Sequence, residues 1–272
     1  MPLTAQGTRC NSGAVPQLSP GSRPHAVATA RRGGKAEASV DPEARKPVCA
    51  GLISENQCRK KGRVDVELQV RFRQEGGRAL PVLVWRAAAP VRMIASASHG
   101  GGIGVRRWVV NAQVPMSYGR RDPGHHLAKL GVSLGLPGRG VGMLTAADVR
   151  VVSSVTDAGV EASATVGLGH PTWAAAPDAS HPVGMVGTIN LVVLLPERLS
   201  DGALVNAIAT ATEAKTQALW ESGIRGTGTA TDAVCIACPD DGAPHAFGGP
   251  RSVWGARLAR AVHAAVLGGL AG

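Results

Sequence analysis

The chain has 272 residues, with 29 Lys and Arg against 19 Asp and Glu, so its formal net charge is +10. Residues 1–65 hold +6 of that charge, and the rest of the chain is only mildly basic. Aromatic residues make up 3%, too few for base stacking, and the arginines form no single stripe. We therefore expect no nucleic-acid partner.

No stretch of the sequence approaches the roughly 20 apolar residues that span a membrane. The N-terminus also lacks the apolar segment of a signal peptide. These features predict a cytoplasmic protein with no membrane partner. Residues 1–65 mix Pro, Gly, Ser, Ala and Arg without a sustained period, and such a segment buries too little apolar surface to offset its chain entropy. We expect a disordered basic leader before one folded domain over residues 66–272.

Alternating or continuous apolar positions predict the strands of the first part of the domain. They cover residues 66–72, 80–85, 91–97 and 108–114, the first two as a hairpin. A glycine loop that starts with Gly100-Gly101 precedes the strand that carries Asn111. Asp122 is expected to cap a helix that begins at Pro123 and ends near Leu134.

The second part of the domain alternates strands with two long helices. Strands are predicted over residues 149–155, 160–168, 185–195 and 233–237, and helices over 200–221 and 252–267. The strand at 185–195 is almost wholly apolar, which is typical of a central strand covered on both faces. The pattern predicts an α/β or α+β fold in which a mixed sheet is packed with helices.

The segment Gly226-Thr-Gly-Thr-Ala-Thr-Asp232 has the most unusual local composition, and it lies just before an apolar strand. Its glycines let the backbone approach a ligand closely, and its hydroxyls and carboxylate offer hydrogen bonds. A polar turn that only leaves a helix explains the same residues equally well. A phosphate loop is not supported, because the lysine of that motif is absent.

Two elements before this segment also carry polar residues in apolar surroundings. Asn190 lies in the predicted central strand, where a buried amide needs partners because an unsatisfied one costs about 1–3 kcal/mol. Glu213 and Lys215 belong to a polar block of the following helix, which lines a pocket or faces solvent. A strand–helix–strand unit would bring these residues together with Asp232 at one end of the sheet.

Other site classes have weak support in the sequence. The eight histidines form no H-E-x-x-H motif and sit mostly in loops, so we expect no metal site. No G-x-S-x-G motif is present. Cys235 and Cys238 form a single C-x-x-C, which we interpret as two reduced residues, with a redox pair as the alternative.

Three blocks in this order resemble the adenosylcobinamide amidohydrolases. They are Gly-Thr-Ile-Asn at 187–190, Ala-Thr-Glu-Ala-Lys at 211–215 and Gly-Thr-Gly-Thr-Ala-Thr-Asp-Ala at 226–233. The glycine loop followed by Asn111 resembles an earlier family element, although His99 stands where the family has Asn, and Gly102 is an extra residue. The similarity runs from about Val66 to the C-terminus.

The resemblance implies a reaction and a substrate. The family hydrolyses the amide that joins aminopropanol to the corrin ring of adenosylcobinamide, and the products are adenosylcobyric acid and aminopropanol. This step serves corrinoid salvage for coenzyme B12 synthesis. The corrinoid cobalt belongs to the substrate, so no cofactor is expected. The assembly of the chain into a homo-oligomer stays open.

Amide hydrolysis needs a base for water, an oxyanion stabiliser and an acid for the leaving amine. We assign Asp232 or Glu213 as the base, Asn190 and backbone amides near Gly228 as oxyanion stabilisers, and Lys215 as a group that orients a carboxylate or protonates the amine. The expected substrate-binding residues are Thr188, Gly226, Thr227, Gly228, Thr229, Thr231, Asn111, Gly100 and Gly101.

Two alternatives remain at this point. In the first alternative, one of Thr227, Thr229 and Thr231 is a covalent nucleophile, activated by a nearby base or by its own freed amine. Alternatively, the chain is a corrinoid-binding module without catalysis, which glycine-rich loops and apolar strands suit equally well.

Overall fold

The structure is a computed structural model and describes residues 64–177 and 187–272. The predicted leader, except its last two residues, and the start of the predicted strand at 185–195 lie outside these residues. The strands are β1 (Val66–Glu75), β2 (Arg78–Ala95), β3 (Gly102–Gln113), β4 (Gly140–Thr145), β5 (Ser153–Asp157), β6 (Val160–Gly167), β7 (Thr188–Leu194) and β8 (Ala233–Cys238). The helices are α1 (Pro123–Ser133), α2 (Asp201–Glu221) and α3 (Val253–Leu270). The predicted mixed α/β fold is confirmed.

The strands form one mixed sheet in the order β4-β3-β2-β8-β7-β6-β5, with β1 paired to β2. The halves β1–β4 and β5–β8 share one connectivity. In each, two antiparallel pairings are followed by a helical crossover to a parallel strand. Strands β3 and β7 are therefore equivalent, as are helices α1 and α2. The sequence showed no repeat, so this correspondence is visible only in the topology.

The sheet curves so that its two halves share a core. Apolar side chains of β2, β3 and β4 pack in one cluster with those of β7 and β8. Helices α2 and α3 cover the opposite face of β6, β7 and β8, while α1 covers the first half. Strand β7 is buried at every position, as its apolar sequence predicted.

Strand β2 combines two predicted strands. Residues 80–85 and 91–97 were expected to be separate, but Arg78–Ala95 is one strand, and its pairing with β3 shifts register between Arg86 and Val91. The first part pairs with β1 and the last part with β8. The interruption that suggested a break is therefore a β-bulge, which bends a strand without ending it.

Strand β4 was not predicted, because the glycines around it resemble a helix end. Gly140 has a packing reason: a Cβ there would lie 1.9 Å from the indole of Trp108, so only glycine lets β4 pair at this point. Strand β5 starts at Ser153, later than the predicted residue 149, because residues 149–151 form a turn and a bend.

All three helices start within one residue of the positions that the sequence predicted, but only two of the residues directly before them make a side-chain cap. Ser200 caps α2 by accepting a hydrogen bond from the Ala203 N–H at 3.2 Å, and Ser252 caps α3 in the same way. Asp122 makes no side-chain cap on α1, because its carboxylate accepts two hydrogen bonds from Arg120 instead. Among the described residues, no helix is long and apolar enough to cross a membrane.

Candidate active site

Lys215 and Asp232 form an ion pair between α2 and the loop before β8. Their side chains are 6% and 13% exposed. Lys215 lies on the buried side of α2, one helical turn from Ala211 and Ala218, which also pack inward. A charged pair in a largely water-free position needs further hydrogen bonds to be stable.

Asp232 receives those further hydrogen bonds from the protein. Its Oδ1 accepts from the Ile189 N–H at 2.9 Å and lies 2.5 Å from Thr229 Oγ1. Its Oδ2 accepts from the Thr229 N–H at 3.1 Å and from the Lys215 ammonium. A carboxylate has about four acceptor positions, so the protein occupies all of them and fixes this side chain.

The hydroxyl of Thr229 has two acceptors but one proton. Its Oγ1 lies 2.7 Å from the Gly187 carbonyl oxygen and 2.5 Å from Asp232 Oδ1. When Asp232 is ionised, the hydroxyl donates to the carboxylate. When Asp232 carries a proton on Oδ1, the hydroxyl accepts it and donates to Gly187. Thr229 therefore suits both protonation states of the carboxylate.

Gly228 makes room for the ion pair. A Cβ at this position would lie 2.3 Å from Asp232 Oδ2 and 2.4 Å from Lys215 Nζ. We expected this glycine to let a ligand approach the backbone. In the structure the space beside it is filled by the Lys215 and Asp232 side chains.

The start of the glycine–threonine segment is held by a neighbouring loop. The Thr227 N–H donates to the Thr172 carbonyl at 2.8 Å, and the Thr227 hydroxyl accepts from the Ala174 N–H at 2.9 Å. Gly226 packs against Pro171 and Thr172, where a Cβ would approach to 3.0 Å. These two predicted binding residues position the loop that ends at Asp232.

Thr188 and Thr231 form a hydroxyl pair beside the ion pair. Their Oγ1 atoms lie 2.6 Å apart, and Thr231 Oγ1 is also 3.1 Å from the Gly187 carbonyl. If Thr231 donates to Thr188, the Thr188 hydroxyl proton is free for another acceptor.

Asn190 joins the equivalent strands of the two halves. Its Nδ2 donates to Asn111 Oδ1 at 2.9 Å and to the Leu144 carbonyl at 3.0 Å, and Asn111 Nδ2 donates to Thr165 Oγ1 at 2.8 Å. The Leu144 carbonyl only accepts, which fixes the orientation of the Asn190 amide. Both of its N–H groups are therefore committed, and none remains to stabilise an oxyanion as we had expected.

A cleft of about 390 Å³ brings several of these residues to one surface. Thr188, Asn190, Thr231 and Asp232 line one part of it, and the ends of β2, β3 and β4 with the loop after β3 line the rest. Lys215 does not line the cleft and lies behind Asp232. A larger cleft of about 660 Å³ elsewhere contains none of the predicted site residues.

Three predicted site residues, Glu213, Gly100 and Gly101, lie apart both from the cleft lining and from the hydrogen bonds around Asp232. Glu213 is exposed, because two residues along a helix separate it by about 200° from Lys215, so it does not approach Asp232. Gly100 and Gly101 form the turn between β2 and β3. A Cβ at Gly100, where φ is +67°, would lie 2.0 Å from the Gly140 carbonyl oxygen, so this loop packs against the start of β4.

The sequence analysis missed a second polar group at the cleft. Tyr118, the one tyrosine of the chain, lines it. Its hydroxyl lies 2.9 Å from His126 Nδ1, and His126 Nε2 lies 3.2 Å from Glu75 Oε1. These residues span 51 positions of the sequence, and no local pattern links them. His125 and His126 are neighbours on α1, but only His126 points inward.

The C-x-x-C pair is not arranged as a redox site. Three residues along a strand place Cys235 and Cys238 on opposite faces of β8, in different core clusters. Both are free, and burial raises the pKa of Cys235 to about 12. Within residues 64–177 and 187–272, no three His, Cys, Asp or Glu side chains are grouped to hold a metal ion.

Comparisons of the sequence with known proteins agree on one family. The model of the adenosylcobinamide amidohydrolase family matches residues 65–272. A protein of that name from Methanosarcina mazei is 33% identical over 150 residues, 54% of this chain and 71% of its own length. Another from Halobacterium salinarum is 34% identical over 114 residues, 39% of this chain and 48% of its own. A solved structure from Pyrococcus horikoshii OT3 aligns with a TM-score of 0.40 and 11% identity, over 78% of this chain and 87% of the other.

Proposed function

Because the chain belongs to the adenosylcobinamide amidohydrolase family and is thus a hydrolase acting on an amide, we propose that it cleaves the amide joining aminopropanol to the corrin ring of adenosylcobinamide. Water adds to the carbonyl carbon, the C–N bond breaks and the nitrogen gains a proton. The products are adenosylcobyric acid and aminopropanol, and the role is corrinoid salvage. The observation that carries this proposal is the fixed carboxylate of Asp232 at the cleft, with Lys215 behind it.

In this proposal Asp232 takes the proton from the attacking water. All four of its acceptor positions are occupied at rest, so one partner must yield. Thr229 is that partner, because its hydroxyl turns to the Gly187 carbonyl at 2.7 Å and releases Oδ1. A base and its hydrogen-bond partner that accommodate both protonation states suit general-base catalysis.

The hydroxyl pair of Thr188 and Thr231 replaces Asn190 as the proposed stabiliser of the oxyanion. Both residues line the cleft, and when Thr231 donates to Thr188 instead of to the Gly187 carbonyl, the pair releases the Thr188 O–H while it keeps its 2.6 Å hydrogen bond. A donor already held in place pays little reorganisation cost as negative charge develops on the carbonyl oxygen.

Lys215 orients Asp232 in this mechanism. Its ammonium is bound to Oδ2 and lies outside the cleft lining, which disfavours direct transfer of its proton to the leaving amine. The acid for the second step must therefore come from another cleft residue.

The reaction is tested by incubating the full chain with adenosylcobinamide and measuring free aminopropanol and the corrinoid acid by mass spectrometry. We expect equal amounts of the two products. Tight binding of adenosylcobinamide without release of aminopropanol would instead favour the non-catalytic binding module. Adenosylcobyric acid, which lacks the amide in question, serves as the control substrate.

A further inference from the structure

A second set of titratable groups reaches the cleft through Tyr118. These groups belong to the first half of the fold, whereas Asp232 belongs to the second. Tyr118 belongs to the loop between β3 and α1, His126 to α1 and Glu75 to the end of β1. The Tyr118 and His126 rings stack with centroids 5.6 Å apart, and His126 is 8% exposed. Elements of the first half therefore bring these three side chains together.

The contacts of this group define the direction in which a proton moves. His126 Nε2 and Glu75 Oε1 lie 3.2 Å apart as an ion pair, and because a carboxylate only accepts, the proton of the neutral ring belongs on Nε2. The Tyr118 hydroxyl then donates to Nδ1 while the ring is neutral, and accepts from Nδ1 once the ring is protonated, at the same 2.9 Å separation. In the protonated state the Tyr118 O–H is free to point into the cleft.

Resting on the proposed function, we infer that Tyr118, His126 and Glu75 form a proton relay in which Tyr118 protonates the leaving amine. As the C–N bond breaks, the Tyr118 hydroxyl proton passes to the nitrogen, and His126 Nδ1 replaces it. Glu75 stabilises the imidazolium that supplies this proton, and a proton from water restores the imidazolium. The proton lost by the attacking water leaves through Asp232, so the two steps use separate groups.

Two further observations favour an acid over a purely structural cluster. Burial lowers the pKa of His126, against the opposing effect of Glu75, so its imidazolium forms only at lower pH than that of an ordinary histidine but gives up its proton more readily. Arg73 and Arg120 lower this pKa further. Arg73 also donates two hydrogen bonds to Glu75 Oε2, which leaves Oε1 directed at His126.

The test compares two leaving groups on the same corrin side chain. Aminopropanol needs a proton to depart, whereas para-nitrophenolate, from the corresponding ester, does not. Tyr118→Phe keeps the ring and its stack, so the fold is retained, and we expect kcat for the amide to fall about 100-fold or more. For the ester we expect a loss below about threefold, since no general acid is needed.

Positioning and control variants complete the experiment. His126→Gln should show the same selective loss, smaller in size, while His125→Gln on the exposed side of α1 should change neither substrate. Equal losses on amide and ester in both Tyr118→Phe and His126→Gln would overturn the relay. Failure of the wild type to release aminopropanol would count against the proposed reaction itself.

Discussion

Lys215 and Asp232 meet across Gly228, and the absence of a side chain at that glycine is what lets their charges pair. The relationship links helix α2 to the loop before β8. It explains why a glycine precedes the carboxylate by four positions, and it makes the geometry of the pair sensitive to a single methyl group.

Gly228→Ala tests that spacing. The added Cβ would lie 2.3 Å from Asp232 Oδ2, and the hydrogen bonds from Ile189 and Thr229 limit how far the carboxylate can move. We expect aminopropanol release to fall about tenfold or more, as small misplacements cost that much at reacting groups. Gly202→Ala at the start of α2 is the control, because a Cβ there meets nothing within 4 Å and should leave activity intact.

Lys215→Met tests the cost of leaving Asp232 without its cation. Removing one partner of a buried pair destabilises by about 3–5 kcal/mol, because the other charge stays buried. Denaturant unfolding measures this loss. The double variant Lys215→Met/Asp232→Asn should recover part of it, and strict additivity of the two single changes would argue against a coupled pair.

Thr165→Val tests the hydrogen-bonded chain from Thr165 through Asn111 to Asn190. The substitution keeps the shape of the side chain but leaves Asn111 Nδ2 without its acceptor, and we expect a loss of about 1–3 kcal/mol. Thr156→Val on exposed β5 is the control and should change the unfolding free energy by less than about 0.5 kcal/mol. Similar losses of unfolding free energy at the two positions would show that the hydrogen bonds from Thr165 to Asn190 add no stability beyond that of an exposed threonine.

The pKa values of His99 and His126 predict how stability depends on pH. Burial lowers the pKa of each below the ordinary histidine value of about 6.5. The unfolded chain then binds more protons in this range, so the stability is present above about pH 6.5 and is lost as pH falls toward the folded-state values. The double variant His99→Gln/His126→Gln should show a flatter dependence between pH 7 and pH 5. An unchanged slope would show that other groups dominate.

The sequence predicted those parts of the fold that local pattern determines. Strand β7 was identified by its continuous apolar run, and α2 by its Ser200 cap and helical spacing. The bulge in β2 and the glycine-rich β4 were missed, because each depends on a partner strand. The need for glycine at position 140 becomes evident only from the structure, which places the Trp108 ring beside it.

The same distinction applies to the candidate site. Asp232, Lys215 and the threonines lie within one strand–helix–strand unit, so chain order alone suggested that they converge. Glu213 belongs to the same polar block of α2 as Lys215, but it faces solvent because two residues along a helix place the two side chains on nearly opposite sides. Tyr118, His126 and Glu75 come together only because β1, α1 and the loop after β3 meet in space.

The central claim is that Asp232 at the cleft drives hydrolysis of the aminopropanol amide, and the turnover of Asp232→Asn tests it most directly. Asn keeps the size of the side chain but cannot take a proton from water. With adenosylcobinamide as substrate we expect kcat to fall about 100- to 10,000-fold, while the exposed control Asp241→Asn keeps wild-type turnover. Near-normal release of aminopropanol by a folded Asp232→Asn variant would contradict the mechanism.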